Sequence, residues 1–395
     1  ALAHDGDQAA DGIERLLDES ETAAPATPTM SFGAWGVDPA LLAEDVKPGD
    51  DFFAYVNGPW LDANPLPSEF SRFGAFTLLG EKSTADVKAL MDELMAKVAA
   101  SLSADEARIL DAYKAYLDTD AIEAAGLAPA RPYLDTIIAA TTLDDLAKLW
   151  TQPGYASPVG GSVSVDAKQP DRYVAYVGFG GLGLPDRDYY LDESEKGREI
   201  QAKYKEYMAF LLGEAGYEDP AAAAEAVYAF EAQIARTVAW DRAVRRNRDL
   251  TYNRVSAEEM AAMGGKVPVL EMLAAAGLDK SPTYVVSLMP PTEEEAAELG
   301  LDAATLAKIG SGLPGMFALL GDTPVATLQA WMIKEFLSDN ASVLPKRFDE
   351  ASFAFYGKTL RGTPEQRPRW KRAIGEAEGL LGELIGKEYV ARNFP

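Results

Sequence analysis

Arg72 lies between Phe70 and Phe73 in the stretch SEFSRFGAF. A guanidinium with aromatic neighbours can be held by their ring faces. Held that way, it either braces its own loop or offers a planar fork to a carboxylate. Other reactive groups are scarce. The single histidine, His4, sits in a leader rich in Asp, Gly and Ala, and there is no cysteine. Serine triads, Cys-His dyads and most catalytic zinc sites need a histidine on an ordered scaffold, so this chain alone is not expected to run those chemistries. The leader's DGDQAADGIE is a poor calcium loop, because its fifth position is Ala9 and Ala10 stands where the sharp turn requires glycine. With 62 acidic residues a carboxylate-pair glycosidase stays open as an alternative, although no spacing singles out a pair.

Two further clusters invite a chemical reading. GFGGLGLPDRDYYL, Gly178 to Leu191, is dense in glycine. A dinucleotide loop needs those glycines on a strand-to-helix turn, and Pro185 follows them instead, so we read a tight turn that lets backbones pack closely. Asp186, Arg187 and Asp188 then suit a turn-locking ion-pair network. Arg242, Arg245, Arg246, Arg248 and Arg254 form the dense basic cluster of an acidic chain. Ion pairing to surrounding carboxylates is the reading we favour over a phosphate or nucleic-acid site.

These residues need a scaffold, and its pattern is mainly helical. KSTADVKALMDELMAKVAASL, SADEARILDAYKAYLDTDAIEAAG and TLDDLAKLWTQPG each open on or near Ser or Thr with acids in the first turn. In EKGREIQAKYKEYMAFLLGEAG, Tyr204, Tyr207, Met208, Leu211 and Leu212 share one face, which predicts core. DPAAAAEAVYAFEAQIARTVAW and TPVATLQAWMIKEFLS continue the series. Residues 160–178 switch to period two around KQPD, a hairpin signal. TYVVSLMPP reads as an edge strand or an extended link. Near the N-terminus, PGD starts an aromatic helix with Phe52, Phe53 and Tyr55, which Asn57-Gly58-Pro59 is expected to stop, with Trp60 at the exit. The last helix carries Leu380, Leu381, Leu384, Ile385 and Tyr389 on one face, whose partner is expected partly beyond Pro395.

The chain of 395 residues is 48% hydrophobic, enough for a large core, and its net charge of −25 would repel nucleic acid or an anionic membrane surface. No stretch approaches the roughly 20 apolar residues of a membrane helix. Ala1 to Ala3 resemble the small-residue end of a secretory signal.

PGDDFFAYVNGPWL, SRFGAF, GLGLPDRDYYL, RDLTYNRVSAEEM and RPRWKRAIGEAEGLLGELIGKEYV, in that order, resemble the successive N-terminal signatures of the neprilysin family of zinc metallopeptidases. The resemblance implies a mainly α lid domain with a small β-hairpin at about 160–178, without the thermolysin-like catalytic domain that it faces across a peptide-admitting chamber. Residues 1–30, rich in Asp, Ala, Thr and Pro, read by composition as a leader or linker; the resemblance implies a segment over 31–79 packing against the catalytic domain, a helical lid over 80–395 ending near the junction, and no catalytic residue or metal ligand in this chain. The zinc, held by an HExxH helix and a downstream glutamate, would belong to the missing C-terminal part, which is then this chain's partner along with small peptide substrates. Arg72 matches the family arginine that binds a substrate's C-terminal carboxylate, while Thr77 and Gly80 stand where animal members carry further charges. The absence of cysteine fits a bacterial member that is periplasmic or secreted. A stand-alone helical peptide-binding module is the alternative on this scaffold.

Overall fold

The structure is a computed structural model that describes residues 38–394. The leader read over 1–30, with His4 and the Ala9-Ala10 loop, lies outside the described residues. Packing divides the chain into two units, one running to Ala124 and resuming at Tyr356, the other Ala125–Phe355. Among the described residues no helix is long and apolar enough to cross a membrane.

In the first unit Asp51 caps helix α1, Phe52–Ala63, by accepting from the Ala54 amide at 2.9 Å. The helix does not stop at Asn57-Gly58-Pro59 as expected. Pro59 cannot donate to the Tyr55 carbonyl four residues back, and that carbonyl accepts instead from the Ala43 amide at 2.8 Å. With the orphan acceptor satisfied from outside the helix, the chain continues one more turn. Helix α2, Ala75–Ala96, begins before the predicted Lys82, and α3, Ala104–Leu117, opens with a capping box of Ser103 and Glu106. Their apolar faces, with Met91, Leu94, Ile109 and Tyr113 fully covered, pack on Ala373, Ile374, Ala377 and Ile385 of the closing helix, Arg369–Asn393. That helix bends at Leu381, beside Gly379 and Gly382, where helical geometry lapses. Leu381, Leu384 and Tyr389 are partly buried against this core, so most of the face expected to await a partner finds one within the unit; Leu380 remains 75% exposed.

The second unit is built on α4, Glu195–Ala215, and α5, Pro220–Gln233, which Ser194 and Asp219 cap, with α6, Val325–Asp339, against both. Tyr204, Tyr207, Met208, Leu211 and Leu212 are all buried, as their spacing predicts. Strands β1, Val159–Asp166, and β2, Gln169–Phe179, form the hairpin, and β3, Asn253–Val255, and β4, Tyr284–Val286, complete a sheet of order β1-β2-β4-β3. TYVV is thus an interior strand rather than an edge or link: β4 lies parallel to β2, antiparallel to β3, and is wholly buried.

The hairpin turns at Ala167-Lys168, upstream of the centre of KQPD, because Asp166 anchors it. Its covered carboxylate accepts from the amides of Lys168 and Gln169, from the Arg172 guanidinium, and at 2.6 Å from the Tyr252 hydroxyl. The Tyr252 hydrogen bond, ahead of the Lys168 amide and Arg172, holds the Asp166 carboxyl down to about 2 despite its burial. A folded-state value below the unfolded one means the carboxylate's contribution is present above the ordinary Asp range and is lost as pH falls through about 2. Amide exchange at Lys168 and Gln169 should therefore stay protected through mild acid and open only on approaching that pH. In Tyr252→Phe the opening should move upward.

Candidate functional site

The loop from Asn64 to Gly74, between α1 and α2, carries Arg72. It has little regular structure of its own and is fixed by the segment leading into the closing helix. The Glu365 amide donates to the Ser68 carbonyl at 3.1 Å, and the Ser68 hydroxyl donates to the Glu365 carboxylate at 2.6 Å. Lys371 reaches the carboxylates of both Glu69 and Glu81, and Arg367 donates to Glu81 at 2.8 Å. Two cations against two carboxylates at part-buried positions make a network, which holds geometry better than isolated surface pairs do.

The aromatic clamp expected around Arg72 is not formed. Phe73 stacks on Trp60 at 6.0 Å and tilts against Phe70 at 5.7 Å, and the cation over the Phe70 ring is Arg367, at 5.6 Å. Adjacent aromatic residues bury their faces on each other and on Trp60, which removes more apolar surface from water than a guanidinium would. Arg72 is exposed, and among the described residues it has no hydrogen-bond, ion-pair or ring partner. The result is a solvent-facing guanidinium on a braced loop. Such a group binds a carboxylate without first breaking an internal ion pair.

The glycine cluster closes onto a buried polar network. Glu231 and Lys334 are fully buried and pair at 2.7 Å; Tyr190 donates to Glu231 at 2.6 Å and Tyr204 at 2.9 Å. Lys334 also meets Glu335 at 2.6 Å. A Cβ on Gly183 would sit 1.8 Å from the Tyr204 hydroxyl, so the predicted close backbone approach is present, and it serves packing. Burial disfavours the Lys334 ammonium, but the charges of Glu231 and Glu335 outweigh it and push its pKa up. Sequence reasoning missed this network, although Glu231 and Lys334 occupy apolar-stripe positions with Val227 and Ile234, and with Ala330 and Leu337.

Asp186 does not pair with Arg187. It pairs with Arg245 at 2.7 Å and Arg242 at 3.4 Å, so two members of the arginine cluster are spent on ion pairing as expected. They ride on a small core of Trp240, Val244 and Leu250. Arg254 donates to the Thr283 hydroxyl at 2.8 Å, and Arg246 and Arg248 are exposed. Among the described residues no three His, Cys, Asp or Glu side chains gather as a metal site.

Comparison with known proteins places this scaffold. Residues 48–395 match the sequence model of Peptidase family M13. Endothelin-converting enzyme 1 of Cavia porcellus is 28% identical over 364 residues, covering 88% of this chain and 45% of that protein. Neprilysin-1 of Caenorhabditis elegans is 24% identical, over 88% of this chain and 47% of its own length. The zinc metalloprotease ZMP1 of Mycobacterium tuberculosis, solved with an inhibitor, superposes with a TM-score of 0.76 at 28% identity, over 90% of this chain and 52% of that one. PepO of Lactobacillus rhamnosis shares the fold, with a TM-score of 0.68 at 19% identity. The chain thus spans about half the length of the relatives it matches.

Proposed function

The chain belongs to peptidase family M13, and from that premise we propose that it is the N-terminal, non-catalytic part of a zinc metalloendopeptidase that cleaves small peptides. In this reading the helical lid walls a chamber and filters substrates by size, and Arg72 anchors the substrate's C-terminal carboxylate. The zinc and the residues that activate its water would lie in the remainder of the protein. The segment over 31–79 would pack on that remainder. Its support is a group of large apolar side chains left in solvent: Phe76 at 91% exposed, Phe52 at 68%, Phe53 at 66% and Leu79 at 47%. A periplasmic or secreted bacterial setting is the location that suits a cysteine-free member.

The observation that carries the anchoring role is the Arg72 guanidinium, unpartnered among the described residues, on a loop fixed by Lys371, Arg367 and Glu365. A bidentate, charge-assisted pair is worth about 1.5–3 kcal/mol. In the intact protein, Arg72→Gln should raise KM for short peptides with a free C-terminus by about tenfold to a hundredfold. Their C-terminally amidated counterparts should be nearly unaffected. Arg72→Lys should recover only part of the loss, because a point charge does not reproduce the fork. Equal effects on free and amidated peptides would reject the anchor. Absence of zinc-dependent peptide hydrolysis by the intact wild-type protein would reject the peptidase reading itself.

A further inference from the structure

We propose that the free edge of β1 binds an extended, uncharged stretch of peptide, which adds to the sheet as a further strand. β1 is the outer strand of the sheet, and every residue from Gly160 to Val165 is exposed. Successive residues of a strand send their N–H and C=O groups to opposite sides. The Ser157 hydroxyl closes on the N–H and C=O of Val159, and the Tyr176 hydroxyl donates to the Val165 carbonyl at 3.2 Å. The Gly180 amide donates to the Pro158 carbonyl at 2.9 Å, which turns the even-numbered residues of this strand toward β2 and leaves the odd-numbered ones as the outward set. Gly160, Ser162 and Ser164 then face Gly178, Tyr176 and Val174 across the hairpin. Between the two closed ends, Gly161 and Val163 present N–H and C=O groups that have no partner on the outer side among the described residues.

Sheet edges left open in this way are normally blunted by charge, by proline or by a covering segment. From Val159 to Val165 the strand has no charged residue and no proline; its only irregularity is the bulge at Val165/Asp166. Over one face of the hairpin, inward of that edge, lies a groove of about 480 Å³, lined by Ser157, Gly160 and Ser162, by Tyr176 and Gly178 of β2, and by Ser287 beyond β4, none of which carries a formal charge at neutral pH. In a chain of net charge −25 an uncharged groove is a local exception. A paired N–H donor and C=O acceptor recurring at every second residue match the main-chain pattern of an extended polypeptide. Main-chain bonds to Gly161 and Val163 would supply affinity, and the groove would take an alternate side chain of the ligand. The closed ends at Ser157 and Tyr176 limit the register to a few residues. The inference goes beyond the peptidase reading, since binding here requires neither metal nor cleavage.

The probe is a fluorescently labelled, end-capped Thr-Val-Thr-Val-Thr peptide, titrated onto the intact protein by anisotropy in the presence of a metal chelator. We expect saturable binding, lost when every backbone amide of the probe is N-methylated. Val163→Pro removes an outward donor at an edge position where proline is tolerated, and should weaken binding at least tenfold. Val163→Thr should not. Gly160→Trp, at a position with open space over the Cα, should also weaken binding by filling the groove. Thermal melting shows whether each variant keeps the fold. The proposal is overturned if the N-methylated probe binds as well, if a folded Val163→Pro binds as wild type, or if the wild type shows no saturable binding. It is equally overturned if sedimentation reveals that β1 pairs with a second copy, in a dimer that Val163→Pro abolishes and the peptide does not displace. Hydrolysis of a separate short substrate, followed in parallel without chelator, reports on the peptidase reading independently of these outcomes.

Discussion

Lys334→Met is expected to destabilise the Ala125–Phe355 unit by about 3–5 kcal/mol, because it leaves a fully buried carboxylate without its counter-ion. Among the described residues Glu231 would retain the hydroxyls of Tyr190 and Tyr204 and a long contact to the Gly183 amide at 3.4 Å. Glu231→Gln should cost less, about 1–3 kcal/mol, since Lys334 keeps Glu335 as a partner. This asymmetry distinguishes a coupled network from generic core damage. Replacing only the pair, Glu231→Leu with Lys334→Met, should not restore stability, because two buried tyrosine hydroxyls would lose their acceptor. Adding Tyr190→Phe and Tyr204→Phe should recover most of it. Denaturant unfolding followed by Trp331 and Trp240 fluorescence reads all of these as shifts in midpoint.

The pH dependence of the same variant has a definite sign. Burial already raises the Glu231 pKa, with the Lys334 charge opposing, so removing the ammonium should raise it further above the ordinary value of 4.5. A group whose folded-state value lies above its unfolded one favours the fold below the unfolded value and loses that contribution as pH rises. The deficit of Lys334→Met should therefore be largest at neutral pH and shrink as pH falls towards 4.5. A deficit under about 1 kcal/mol at pH 7 would mean that water or rearrangement solvates Glu231 and that the pair is not the closed unit described here.

Local signals carried much of this fold, and contacts between distant residues account for the rest. Ser103, Ser194 and Asp219 announce helix starts because a cap is a property of a few consecutive residues. The stripe from Tyr204 to Leu212 predicts core for the same local reason. Pro59 misleads because the donor that satisfies Tyr55 is Ala43, outside the helical pattern. The hairpin turn misleads because Asp166 is recruited by Tyr252, 86 residues away. TYVV becomes an interior strand because β2 and β3 close on either side of it, which three residues cannot reveal. The candidate site was legible to the same degree. Arg72 could be named from SRFGAF, yet what fixes its loop, Lys371 on Glu69, spans 302 residues, and the ring expected beneath it serves Arg367. The interruption of the first unit by Ala125–Phe355 follows from the closing helix returning to α2 and α3, again a long-range fact.

Gly183→Ala should be the most damaging small substitution in the glycine cluster, and the cause is specific to its surroundings. Its Cβ would lie 1.8 Å from the Tyr204 hydroxyl and 2.9 Å from the Lys334 ammonium. A long side chain at the surface would swing aside. Tyr204 cannot, since its hydroxyl is bonded to Glu231, its ring stacks on Phe355 at 5.3 Å, and the residue is fully buried. Relieving the contact therefore means either breaking the hydroxyl's bond to Glu231 or moving the turn, which also carries the Leu184 amide bonded to Tyr190. Overpacking alone costs about 1–3 kcal/mol, and loosening a buried charged acceptor adds about 1–3 more, so a loss of roughly 2–6 kcal/mol is expected. Gly178→Ala, a few residues upstream and with nothing within 4 Å of the added Cβ, is the control and should change stability by less than about 1 kcal/mol. Tyr204→Phe in the Gly183→Ala background should recover part of the loss by deleting the clashing oxygen. If both glycine variants unfold alike, or if Tyr204→Phe gives no relief, the turn is needed for its backbone conformation and the close approach to Tyr204 is incidental.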